Sequence, residues 1–199
     1  MKTISIFLIL FLCFSTVLSA QSKLGAGVKA GINVATQVTT GEGENVNTES
    51  LVGFHAGGYC HYFIIDQVAV QLELLFSQKG ANWNDLDFSG KDRLCYIDIP
   101  LLFRFQPLEF LNVHAGPQFG FLMKAKQIPD DGEKIDIMDY YNSTDIGLVI
   151  GAEGNLPMKL NVTLRYILGL NVVTTESGYI DGWKNKVFQV SIGYRLLTK

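Results

Sequence analysis

The chain has 199 residues, enough for one domain and hardly for two. Only 18% of its residues are charged while aromatics reach 12% and glycines number 20, so it is short of the solvated surface that ordinary soluble domains carry. A formal net charge of −3 excludes an electrostatic nucleic-acid binder, and beyond the N-terminus no apolar run reaches the ~18 residues a spanning helix needs.

Residues 1–20 read as a secretory signal: Lys2 supplies the positive start, residues 4–14 the apolar core, and Ser19 and Ala20 the small residues before a cleavage point at Gln21. Residues 21–199 then remain as one exported domain. Its first strand, residues 24–36, sets Leu24, Ala26, Val28, Ala30, Ile32 and Val34 against Gly25, Gly27, Lys29, Gly31 and Asn33. Residues 37–50 read as a long loop and residues 51–62 as a second strand, with a tight turn near residues 65–67. The third strand, VAVQLELLFS at residues 68–77, is the clearest: Val68, Val70, Leu72, Leu74 and Phe76 face one medium, and Ala69, Gln71, Glu73, Leu75 and Ser77 another. A second long loop is expected at residues 80–92, a fourth strand at 93–105, a short turn at 106–110, and a fifth strand from Leu111 to Lys124 with an irregularity at Pro117, which has no ladder donor. The third and longest loop spans residues 125–143. Strands at about 145–153, 160–169 and 188–196 complete the chain, the last two separated by a fourth long loop at about 171–185.

This predicts an all-β fold, an eight-stranded antiparallel transmembrane up-and-down barrel whose connections alternate long and short, with short turns in the periplasm and long loops outside. Periodicity alone also fits a soluble barrel with an apolar core. The glycines arbitrate: the polar face carries Gly25, Gly27, Gly31, Gly53, Gly57, Gly116, Gly120, Gly147, Gly151, Gly169 and Gly193, as a narrow filled interior requires and a solvated exterior does not. The apolar face therefore meets lipid, in the cell outer membrane. Cys60 and Cys95 fall at opposite rims in this register, too far apart to bridge.

Seven segments carry a family likeness: GVKAGIN from Gly27, GFHAGGY from Gly53, VQLELLFSQKGAN from Val70, YIDIPLLFRF from Tyr96, HAGPQFGF from His114, DIGLVIGAE from Asp145 and FQVSIGYR from Phe188. They resemble the small outer-membrane β-barrel proteins common in Bacteroidota, often labelled PorT-like. The resemblance implies insertion by the barrel assembly machinery and, through the family label, an accessory role in type IX protein secretion or surface assembly. The C-terminus departs from it, ending LLTK rather than on an aromatic residue.

Heights along the strands place Lys29, Glu73, Asp98 and Arg165 near mid-barrel, with Arg104, Glu153 and Arg195 nearer the periplasmic end. An interior salt-bridge network is expected, since unpaired charges in a narrow lumen are costly; an ion or proton pathway is the functional alternative. His55, His61 and His114 all fall on the inward face, and no nucleophile elbow, zinc-protease or Cys-x-x-C motif occurs. No catalytic, cofactor or metal site is expected, although small barrels include lipid-modifying enzymes. The acidic third loop carries Asp130, Asp131, Glu133, Asp136 and Asp139, without the ligand spacing of an EF-hand. Trp83, Tyr140, Tyr141 and Trp183 are expected to anchor the outer interface. The sequence thus points to a non-enzymatic barrel with a plugged polar lumen, in contact with outer-membrane lipid and with a protein partner at its loops, not with nucleic acid.

Overall fold

A computed structural model describes residues 23–39, 49–84, 89–129, 132–174 and 182–197; the expected signal segment lies outside these. The strands are β1 (Leu24–Thr39), β2 (Glu49–Ile65), β3 (Val68–Asn84), β4 (Ser89–Leu108), β5 (Leu111–Pro129), the two-residue β6 (Ile135–Asp136), β7 (Thr144–Asn155), β8 (Leu160–Gly169) and β9 (Trp183–Leu197). Each pairs antiparallel with its neighbour, β9 returns to β1, and β4 joins β5, so the eight long strands close a ring with β6 attached to the side of β5. Closure leaves no membrane-level edge, the condition for a sheet to stand in hydrocarbon.

Burial alternates as the sequence does. Val28, Ile32, Phe54, Leu74, Leu101, Phe103, Ile150 and Ile192 are exposed on the outside, while Glu73, Asp98 and Arg165 are buried inside. An apolar exterior around a polar interior inverts a soluble protein and matches a lipid solvent. Gly116 shows why the interior face needs glycine: a Cβ there would run into the backbone carbonyl of Leu101 on β4.

Three connections are tight, at residues 66–67, 109–110 and 156–159, and they share one end of the barrel with the first and last strand ends. In the last, Met158 and Lys159 both have positive φ (59° and 63°), and the Leu160 N–H turns back to the Pro157 carbonyl. That is the type I′ geometry whose twist suits a two-residue hairpin.

The strands differ from the expected boundaries at the opposite, loop end. β3 runs to Asn84, β4 begins at Ser89 and β5 continues to Pro129, so most of the expected second loop and the start of the third are paired strand. Crossing the bilayer takes about 10 residues of a tilted strand, and the 20 residues of β4 rise well above it. The Gly, Asn and Lys there read as loop, but cross-strand partners satisfy their backbones in water. β7 and β8 have 12 and 10 residues and end near the outer membrane boundary.

The expected irregularity at Pro117 is not a bulge. The β4–β5 register is the same on both sides of it, Pro100 opposite Gln118 and Phe103 opposite Ala115, and the proline simply leaves ladder bonds unmade. The register shift in this pair comes higher, where Cys95 faces Lys124 but Tyr96 faces Leu122. Met123 is the extra residue, and it turns Lys124, expected inside, to the outside. Cys60 and Cys95 are both free thiols.

Candidate functional site in the barrel lumen

The lumen holds two buried ionic clusters. In the lower one the Arg165 guanidinium grips Glu73 bidentately, Nη1 to Oε2 at 2.7 Å and Nη2 to Oε1 at 2.6 Å, and Lys29 Nζ reaches the same carboxylate at 3.0 Å. Arg165 Nε donates to His114 Nε2 at 2.8 Å, so that nitrogen carries no proton and the imidazole is neutral. Gln71 links Glu73 to Arg104, whose Nη2 pairs with Glu153 at 2.9 Å. Thr163 and Asn112 complete the shell of Glu153. The planar fork of Arg165 suits such a site because it fixes one carboxylate in two bonds, while that of Arg104 divides its bonds between Glu153 and Gln71.

The upper cluster is built on Lys79, which lies 3.0 Å from both Asp98 and Asp145 and over the ring of Tyr96 at 4.7 Å. Asn185 donates to Asp145 at 3.0 Å. The lower cluster sets three cations against two carboxylates and the upper one cation against two. Neither is neutral alone, and together they cancel. His55 stands among neutral partners, 2.7 Å from both Asn33 Oδ1 and Ser191 Oγ.

Ala35, Leu102, Val149, Ile167 and Val187 form a buried apolar group inside the lumen. Each comes from an inward position of its strand. On β7, Val149 separates Asp145 of the upper cluster from Glu153 of the lower, and on β4 Leu102 separates Asp98 from Arg104. Buried polar side chains adjoin the group, Asn33 at the next inward position to Ala35 on β1 and Gln189 at the next to Val187 on β9.

At the loop end, aromatic side chains reach across the mouth. Trp83 and Trp183 meet edge to face, ring centres 4.9 Å apart, although β3 and β9 are not neighbours. They point inward across the mouth rather than outward as interface anchors. Ile137 and Tyr141, from the segment after β6, pack on Leu94, Tyr96, Leu122 and Ala125. The Tyr141 hydroxyl donates to Asp92 at 3.1 Å, and burial together with that carboxylate pushes the phenol's pKa up. Tyr140 remains exposed. At the turn end the lumen opens into a cavity of about 480 Å³ bordered by His61, Asp66, Arg104, Glu109 and Arg195.

Of the expected network residues, Lys29, Glu73 and Arg165 come together, Arg104 joins Glu153 beside them, and Asp98 belongs to the separate upper group. Arg195 joins neither: its Nη2 donates to the Leu156 carbonyl at 3.2 Å on the rim. The sequence reading missed Lys79 and Asp145 as partners, because β3 was expected to end at Ser77; its odd-position spacing continues through Lys79 and would have shown it. In the acidic loop, Asp130 and Asp131 lie outside the described residues. Glu133, Asp136 and Asp139 are exposed, and the Asp136 carboxylate accepts the Met138 N–H at 3.0 Å. Among the described residues no group of three or more His, Cys, Asp and Glu is placed to hold a metal.

Residues 19–175 match the family described as the outer membrane protein beta-barrel domain. The chain belongs to that family. It is therefore an outer-membrane protein, standing in lipid. A comparison with curated proteins found no match. Among solved structures, Ail, the attachment invasion locus protein of Yersinia pestis, is 15% identical with a TM-score of 0.51, covering 88% of this chain and 99% of its own. Neisserial surface protein A is 12% identical at 0.52, covering 85% and 96%. OprG of Pseudomonas aeruginosa is 10% identical at 0.51, covering 89% and 98%. These likenesses are of fold.

Proposed function

We propose that this family member is a non-enzymatic, non-conducting barrel that serves as a membrane-embedded support for an outer surface, where its loops and strand extensions meet a partner. The narrow lumen filled by two clusters of buried ion pairs, with the buried apolar side chains of Ala35, Leu102, Val149, Ile167 and Val187 among them, carries this reading. Ion permeation would have to break these pairs to pass the lumen, at a cost of several kcal/mol or more. The aromatic lid above it and the strands standing clear of the membrane support a role at the outer face. Purified protein in planar bilayers should show no discrete conductance steps at moderate voltage. Stable unitary currents from the unmodified protein would overturn the reading and return the Lys29, Glu73, Asp98, Arg104, Glu153, Arg165 and Arg195 set to an ion or proton pathway.

The PorT-like, secretion-accessory reading rests on the segment resemblance, and a stoichiometric partner retained in mild detergent would favour it. A lipid-modifying enzyme would need an exposed nucleophile and base at the rim, whereas His55, His61 and His114 are buried in the lumen. Altered lipid A in a deletion strain is the result that would favour that third reading.

A further inference from the structure

Four cations gather on the outer surface of the β4–β5 ribbon just above the membrane band. Lys91 and Arg93 occupy successive outward positions of β4, and Lys126 lies directly opposite Arg93 on β5. Lys124, opposite Cys95, joins them only because the extra residue Met123 turns it outward. Below them the outer face is apolar, with Ile97 opposite Phe121, Ile99 opposite Phe119, and Met123 exposed. Successive outward rows are ~6.6 Å apart along a strand, so Lys124 stands about one row above the hydrocarbon edge and Arg93 with Lys126 about one row higher.

No salt bridge among the described residues involves any of the four. On the β3 side the neighbours of the ribbon are neutral: Gln78, Gly80 and Asn82 face Cys95, Arg93 and Lys91. On the other side Asp136 stands opposite Lys126 without an ion pair, its Oδ1 accepting the Met138 N–H, and it is a single carboxylate beside four cations. Among the described residues Arg93 Nε has no hydrogen-bond partner. Like charges directly opposite in a ladder are destabilising, and a bulge that adds one more cation compounds the repulsion. Such an arrangement calls for an anion from outside the chain, and its height restricts which.

We propose that Lys91, Arg93, Lys124 and Lys126 form a binding site for a phosphorylated lipid of the outer leaflet, whose acyl chains lie on Phe119, Phe121 and Met123 while its headgroup phosphate sits between Arg93, Lys124 and Lys126. An arginine fork and flanking lysines suit phosphate oxygens, and the adjoining aromatic and methionine surface suits acyl chains. A soluble polyanion would satisfy the cations but leave that apolar surface unused. The site stands on the outer-membrane location and does not depend on the lumen being closed.

The test uses the folded, full-length mature barrel in a neutral detergent, titrated by native mass spectrometry with lipid A carrying its phosphates and with the same lipid enzymatically dephosphorylated. The unmodified protein should prefer the phosphorylated form by tenfold or more. Arg93→Gln with Lys124→Gln and Lys126→Gln should abolish that preference, and Lys124→Glu alone should cut it several-fold, whereas Lys184→Gln with Lys186→Gln on distant β9 should leave it intact. Folding of each variant is read from its heat-dependent gel shift, and the single Lys124 change keeps the test open if the triple variant does not fold. Equal binding of the two lipids, or a preference that survives the β4–β5 changes, would overturn the proposal. Acyl-free dextran sulfate binding as tightly as phosphorylated lipid would also overturn it and assign the cations to a soluble glycan.

Discussion

Glu73 is the residue on which the lower lumen turns. One carboxylate receives Lys29, both outer nitrogens of Arg165, and Gln71. A buried pair that loses one partner typically costs 3–5 kcal/mol, on the order of what leaving a charge unmatched requires. Glu73→Gln should therefore lower the unfolding free energy of the refolded barrel, read by urea titration, by an amount in that range, and a loss under about 1 kcal/mol would show that the network is solvated after all. Lys79→Met is the counterpart in the upper cluster, where it leaves Asp98 and Asp145 facing each other, and a similar loss is expected in the same assay. The tryptophans make a different prediction. Because Trp83 and Trp183 meet edge to face inside the mouth, brominated acyl chains should leave their fluorescence largely unquenched; strong quenching would put them back at the lipid interface. The signs and faces of Lys29, Glu73 and Arg165 were legible from alternation alone. Which carboxylate each cation would choose was not, since partners such as Arg165 and Glu73 are 92 positions apart in sequence.

At the level of strands and turns, two local choices stand out. The 156–159 turn places Met158 and Lys159 in the left-handed region, which costs a residue with a Cβ roughly 1 kcal/mol. Met158→Asn with Lys159→Gly should stabilise the barrel by about 1 kcal/mol, read as a higher urea midpoint, because Asn-Gly is the preferred type I′ pair. Gly116 makes the opposite prediction. Valine there would meet the Leu101 carbonyl and push β4 from β5, so Gly116→Val should reduce the folded, heat-shiftable fraction sharply. The extension of β3, β4 and β5 past the membrane was illegible in sequence for a physical reason. Once a strand leaves lipid, its outward residues need no longer be apolar, and the alternation that marks a membrane strand fades into the composition of a loop.

For the molecule as a whole, closure of eight strands makes both the fold and the location one statement, and the family match agrees with it. Unboiled protein from the outer-membrane fraction should migrate apart from boiled protein on a denaturing gel, as a hydrogen-bonded closed barrel resists detergent until heated; identical migration would contradict a closed barrel. The sequence by itself determined the strand number at membrane level, the lipid-facing side and the inward position of Lys29, Glu73, Asp98, Arg104, Glu153 and Arg165, because period-two alternation between two solvents leaves little freedom of register. Only the tertiary structure decided the rest. Shear sets which inward residues share a height, and that divided the charges into two clusters with Leu102 and Val149 between them. A single extra residue at Met123 reversed Lys124, and distant strand ends brought Trp83 onto Trp183. Each of these depends on contacts across the ring, which a pattern read along one strand does not contain.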